Sequence, residues 1–581
     1  MRFSSLLTRA FATAVLALAV ACGDDDPTAP TIDPPLGLQV SATGSGSVRI
    51  SFNGRAIDDS YTLERAEGTG AFTSIQTINA PATDGVVTFD DTGLKVQTQY
   101  RYRVKATRGS ASSAFSGEQS TTTLAPGVYA RTVSGDITTN TTWYRDTTYT
   151  LNGFIHVANG ATLTIEAGTT VKGDFNTVGS SLFILRGARI MAIGTAELPI
   201  VFTSSQPVGQ RRPGDWGGLI LVGNGILSRT GVTIALEGSG TDAGTAPGTN
   251  YTVNYSGGTT NTDNSGELRY VRVEYAGYAP TQNAELNSFS FAAVGSGTKL
   301  SFLQSLAGLD DSFEFWGGAV DATNLVSYEA GDDAFDMSEG FQGRLQHLIA
   351  LNTTQLTPRT NAGALAVDPQ GIENDGCEGS GCTNGRNTTP YTYPVVANFT
   401  LIGTNDVATS GSSGGVGIML RRGTGGFYVN GIVARWPRGA ISIRDTETYT
   451  RAGSTATPDL TTTDLAVRNV LIGETTLAFQ TGTNPVQNAF DMAGNAIVLD
   501  ATANSTTLFS AFPATIGTTT TASAFDWTPA NGSAPSTGGL ATFTGKLATA
   551  AGTAVTATAY RGAAAPGGAK WWQGWTVYSR Q

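Results

Sequence analysis

Between residues 36 and 123, apolar and polar residues alternate at period two. Leu38/Val40, Val48/Ile50/Phe52, Tyr61/Leu63 and Tyr100/Tyr102/Val104 each point one way. This alternation predicts seven short strands with one buried face. From about Val128 the pattern shortens. Leu163 and Ile165 alternate, and brief apolar runs follow at Leu182–Leu185, Ile200–Phe202, Leu219–Val222, Tyr270–Tyr275, Leu300–Leu303 and Leu325–Tyr328, separated by Gly-rich turns. No helical periodicity of ten or more residues interrupts them. Each run is too short to bury a core alone, so the pattern predicts stacked coils of a parallel β-helix over 128–581. The expected fold class is all-β, a sandwich followed by a solenoid.

Within the solenoid one segment is nearly duplicated. LDDSFEFWGG and GDDAFDMSEG place Asp310/Asp332, Asp311/Asp333, Phe313/Phe335 and Glu314/Asp336 at a common offset of 22 residues. That offset is about one coil, and adjacent coils lie about 4.8 Å apart. Stacking would crowd six carboxylates on one edge. Each like-charged pair at about 5 Å costs on the order of 3 kcal/mol at an effective dielectric near 20. Such a row must be solvated, partly protonated or neutralised by a cation. Ca²⁺, with six to eight oxygen ligands, suits it. Glu373 and Asp375 in GIENDG extend the row by another coil. The plainer reading is turn chemistry, with each Asp capping its own backbone and Phe313 and Phe335 stacked in the core. The two readings are compatible.

Composition narrows the function. The 581 residues carry 35 Lys+Arg against 46 Asp+Glu, net charge −11, with no basic stripe. Nucleic acid is therefore not an expected partner. Arg2 and Arg9 precede an apolar stretch, Ala10–Ala21, that ends at Cys22. This is a targeting segment, too short to span a bilayer. The acidic, Pro-rich stretch 22–35 reads as an extended tether. Cys377 and Cys382 are the other cysteines. In an exported chain they are expected to form a local disulfide. With only His156 and His347 available, a zinc site is not expected.

Several segments resemble known families. Leu18-Ala-Val-Ala-Cys22 resembles the lipobox of bacterial lipoproteins, with Ala19 where Leu is more usual. The resemblance implies removal of 1–21 and lipid on Cys22. Pro35-Leu36, Tyr61–Arg65, Phe89–Leu94 and Tyr100–Val104 make 36–123 similar to a fibronectin type III domain, with Phe52 where that family has a core Trp. Asn159–Gly168, Gly214-Asp-Trp-Gly-Gly-Leu219, Leu268–Gly277, the two Asp-Asp segments, Tyr560–Ala563 and Trp571–Thr576 resemble a family of bacterial envelope proteins. Its members are right-handed β-helix proteins, often lipoproteins, largely of unknown function. That resemblance implies a fold, a terminal cap and an outer-membrane address, and it brings no active site.

These readings lead to a lipid-anchored envelope protein that binds or adheres. The expected partners are a glycan or an envelope or surface protein, with the membrane reached through the lipid anchor only. A calcium-dependent polysaccharide lyase or glycoside hydrolase is the enzymatic alternative, with Arg272 and Arg344 as the arginines near the acidic coils. A surface accessory partner of an outer-membrane transporter is the third reading. Trp216 is expected to anchor a core wall rather than to stack on sugar. The polar loops 238–266, 353–394 and 444–463 are the expected places for binding.

Overall fold

The computed structural model describes residues 32–124, 129–240, 248–255, 257–279, 284–453, 459–481 and 491–580. These fall into two compact units that divide at Gly127. Among the described residues, no helix is long and apolar enough to cross a membrane.

The first unit is an antiparallel β-sandwich. One sheet holds Leu36–Gly44, Ser47–Gly54 and Gly85–Asp91; the other is built on Ser60–Glu67 and Gln99–Arg108. The period-two residues Val48, Ile50, Phe52, Tyr61, Leu63, Tyr102 and Val104 fill its interior. Phe52 meets Tyr61 edge to face at 4.9 Å, so a Phe occupies this core position. Eight strands form instead of seven, because Ala111–Ser112 makes a short extra pairing with the end of Gln99–Arg108.

The second unit is a parallel β-helix. A 9-stranded parallel sheet stacks, in order, Phe154–Val157, Ser181–Ile184, Leu219–Val222, Phe289–Ala292, Phe313–Trp316, Phe335–Ser338, Ile372–Asp375, Val416–Arg421 and Gly439–Ile443. Inward residues of this sheet form an aromatic column. Phe289 stacks on Phe313 at 5.0 Å, and Phe313 on Phe335 at 5.4 Å. Each such contact adds about 1 kcal/mol beyond burial. Trp216 is fully buried and its Nε1 donates to the Glu274 carbonyl. A Cβ on neighbouring Gly217 would sit 1.8 Å from Ser181 Oγ, so this coil can approach only without a side chain there. The GDWGG segment is thus structural.

The other faces merge into a 17-stranded sheet whose longer strands bend at a repeated position. Register places Tyr270, Phe302, Asn324, His347, Asn398, Asn430 and Asn469 in one column at that bend. All seven have φ between 50° and 64°. Asn tolerates this left-handed conformation best among non-glycine residues, which accounts for its recurrence. The C-terminal segment docks along this corner instead of forming only a cap. Gln346 exchanges bonds with Thr556, Asn398 donates to the Gly562 carbonyl, and Trp575 meets both Tyr270 and Phe302 edge to face. The long polar stretches are also more ordered than their composition implies. Ile372–Asp375 is a strand of the 9-stranded sheet, and Thr446–Ala452 is a short helix.

Candidate functional site

The acidic row is built by two columns of the β-helix. The first lies in the turns before the strands. Asn287, Asp311, Asp333 and Gln370 hold the same register, two residues before Phe289, Phe313, Phe335 and Ile372. Each side-chain oxygen accepts the backbone N–H of its equivalent on the next coil. Asn287 Oδ1 takes Asp311 N at 3.1 Å, Asp311 Oδ1 takes Asp333 N at 2.8 Å, Asp333 Oδ1 takes Gln370 N at 2.5 Å, and Gln370 Oε1 takes Val416 N at 2.9 Å. For Asp311 and Asp333 the expectation that each Asp caps its own backbone is therefore corrected, whereas Asp310 does accept from the adjacent Asp311 backbone. The caps run from coil to coil, because the turns stack in register.

The second column is the outward face of the sheet. Ser290, Glu314, Asp336 and Glu373 are successive parallel partners. Outward positions alternate with the Phe column, so three carboxylates stand one strand spacing apart. Three overlapping triads result, each with ligand oxygens within 4.8 Å of one another: Asp310/Asp311/Asp332, Asp311/Glu314/Asp336 and Asp333/Asp336/Glu373. Asp336 Oδ1 is buried without a hydrogen-bond partner, while Glu314 accepts from Asn287 Nδ2.

The surroundings disfavour ionisation of this row. Burial raises the Asp311 carboxyl well above its usual range, and Asp310 and Glu314 raise it further. Asp310, Glu314, Asp332, Asp333 and Asp336 shift the same way, again chiefly through burial. Burial and Asp375 push Glu373 up to about 8, against the pull of Arg421. Solvation therefore does little for these acids; protons or a cation must do it.

Sequence reasoning missed several members. Glu237 and Glu285 act on Asp310, and Asp368 acts on Asp332. Burial, followed by Glu285, pushes Glu237 up to about 8. All three lie in loops with no repeat to reveal them. The arginines considered for the lyase alternative pair elsewhere. Arg272 bonds Glu274 at 2.5 Å and Arg344 bonds Asp321 at 2.6 Å, so neither pairs with the row. Arg421 instead closes the row, bonding Glu373 and, at 2.7 Å, Asp375, and Arg422 also bonds Asp375. Parallel pairing of Asp375 with Arg421 puts them there.

Cys377 and Cys382 form a disulfide with Cα atoms 5.9 Å apart, just beyond Asp375. Cys22 lies outside the described residues. His156 is fully buried, with Nδ1 2.9 Å from Asp136 and its ring stacked 4.1 Å from Tyr251. His347 faces the Ala563 carbonyl at 3.1 Å. Grooves of about 600 and 540 Å³ lie away from the row, and one of about 710 Å³ is lined by residues 33–36, 53–55 and 84–86 of the sandwich.

Comparison with known proteins agrees with this architecture. The sequence model of the pectate-lyase-like β-helix domain matches residues 135–528, and the chain belongs to that family. No curated protein sequence matches the chain. Solved structures match over the first unit. An Fn3-like protein from Clostridium thermocellum is 26% identical over 15% of this chain and 86% of its own, with a TM-score of 0.13. The sensor domain of the anti-sigma factor RsgI4 in Pseudobacteroides cellulosolvens is 17% identical over 16% of this chain and 99% of its own, with a TM-score of 0.13. The twitchin kinase region from C. elegans is 19% identical at a TM-score of 0.15, over 17% of each chain.

Proposed function

We propose that this chain is an envelope binding protein that engages its ligand through Ca²⁺ held on the acidic face of the β-helix. The carrying observation is the set of three carboxylate triads, each within 4.8 Å, on consecutive coils. Hard cations take such oxygen sets, and loading would relieve the repulsion that otherwise forces protonation. A Ca²⁺ ion held by the triads leaves coordination positions for hydroxyl or carboxylate oxygens of a glycan, or of a partner protein. An acidic protein would thereby hold even an acidic ligand. The membership of a pectate-lyase-like family is compatible with a carbohydrate-related role.

Binding is favoured over catalysis by the state of the arginine. Arg421 is fixed between Glu373 and Asp375, whose charges raise its pKa above the ordinary value despite burial. A guanidinium held in this way is a poor general base. In this reading lipid on Cys22 retains the protein at the outer membrane. Titration calorimetry of chelator-stripped protein with CaCl₂ tests the site. Saturable heat with a matching rise in melting temperature is expected, and no heat at millimolar calcium would refute it. Mass spectrometry of the envelope-extracted protein should find Cys22 as the lipid-bearing N-terminus; cleavage elsewhere would remove the anchor.

A further inference from the structure

A groove of the β-helix carries the opposite charge. It measures about 540 Å³ and is lined by Arg211, Arg212 and Arg580 together with Tyr275, Gln355 and Thr357, and no carboxylate lines it. In a chain of net charge −11 this concentration of guanidinium groups is against the trend. Two separate segments supply it. Arg211 and Arg212 follow the strand Ile200–Ser204, while Arg580 is held from the C-terminal segment by its backbone N–H to the Thr518 carbonyl at 2.8 Å.

Arg211 and Arg580 each have an acid beside them, and the Arg212 guanidinium is left without an ion pair among the described residues. Glu274 bonds Arg272 at 2.5 Å and also accepts from Arg211 Nη1 at 3.4 Å. Glu329 accepts from the backbone of Thr353 and Thr354 and forms a longer ion pair with Arg580 at 3.6 Å. Arg580 Nε is buried with no hydrogen-bond partner. The Arg212 side chain donates to the Arg211 carbonyl, its backbone N–H donates to Asp215 Oδ2 at 3.1 Å, and its guanidinium forms no ion pair among the described residues. The fields of all three arginines converge on the Tyr275 hydroxyl, where they oppose the upward pull of burial and Glu274.

We infer that this groove is a second binding site, for an oxyanion-bearing ligand. Guanidinium forks match the paired oxygens of carboxylate and phosphoryl groups, and the Gln355 and Thr357 side chains supply neutral donors beside them. Glu274 and Glu329 neutralise this cluster only in part, so an arriving anion would complete its pairing. The ligand chemistry differs from that of the acidic face, where ions of the opposite sign are taken.

Titration calorimetry of the full chain in calcium-free, low-salt buffer tests this with inorganic phosphate, glucuronate and glucose. Phosphate or glucuronate should bind and glucose should not, with the stronger of the two identifying a phosphoryl or a carboxylate ligand. Added salt should weaken binding. Arg212→Ala should weaken it about tenfold or more, and Arg212→Lys less, because Lys keeps the charge but not the fork. Arg212 is exposed, so both variants should melt with the wild type. The inference is overturned if neither anion binds at millimolar concentration, or if both variants bind as the wild type does.

Discussion

The amide of Asp333 donates to Oδ1 of Asp311 at 2.8 Å, across one coil and 22 residues of sequence. Asn287 and Gln370 do the same work at either end of the column without a charge. The hydrogen bond therefore needs only an oxygen, and the negative charges at Asp311 and Asp333 call for another role. That contrast separates turn chemistry from metal binding.

Asp311→Asn with Asp333→Asn should keep the coil-to-coil bonds and leave the β-helix folded. In chelator at neutral pH the double variant should melt above the wild type, since the cost of keeping two buried carboxyls protonated in the fold is gone. Its response to calcium should be largely lost, because stabilisation follows ligand affinity for the folded state. Scanning calorimetry with and without CaCl₂ reads both effects. A calcium response equal to that of the wild type would leave these acids as turn formers.

Stability of the calcium-free protein should fall as pH rises. Glu237 and Glu373 are pushed up to about 8 in the fold. A carboxyl with a raised folded pKa binds its proton more tightly in the folded state. Its contribution is complete below the unfolded value, about 4.3, and is lost as pH climbs through about 8. Calcium competes with those protons, so its stabilising effect should grow over the same window. Melting curves in chelator and in calcium across that range check this. A chelated protein that gains stability between about pH 5 and about pH 8 would contradict it.

Arg421→Ala should destabilise the calcium-free protein by about 3 kcal/mol, because Glu373 is left as an uncompensated buried charge and Asp375 keeps only Arg422. Adding Glu373→Gln should restore part of the loss. Urea denaturation of the single and double variants measures the coupling. Equal stability of the two would place the cost in lost packing of the Arg421 stem.

Reducing the Cys377–Cys382 bridge should cost at most about 2 kcal/mol, as expected for a loop with a sequence separation of 5. The effect should concentrate near Glu378, which bonds Arg422 and Arg386 from within that loop. Hydrogen exchange with and without reductant should show faster exchange over 376–386 and little change in the Phe column. Two free thiols in protein isolated without reductant would disprove the bridge.

The sequence made the stacked carboxylates legible because Asp310 and Asp332 sit in a true repeat, and a repeat fixes register. Phe313 and Phe335 were legible for the same reason. Glu237, Glu285 and Asp368 were not, since their loops return to the row by paths that no period describes. Arg421 was hidden differently. Its partner Asp375 lies 46 residues earlier because an insertion separates the two coils, so the regular spacing fails there. The corner column was invisible too, as Tyr270, Phe302, Asn324 and His347 share a backbone conformation but no side-chain chemistry.

The docking of the C-terminal segment has a consequence for how the molecule is made. Val577 bonds the side chain of Gln304, and Arg272 bonds the Trp575 carbonyl, across 273 and 303 residues. Those partners are aligned only after the intervening coils have stacked, and loops this long close slowly. The segment therefore reports on completion: it fastens late, onto a surface that half-assembled intermediates do not present. A protease added during refolding should cut it until the final step and spare it afterwards.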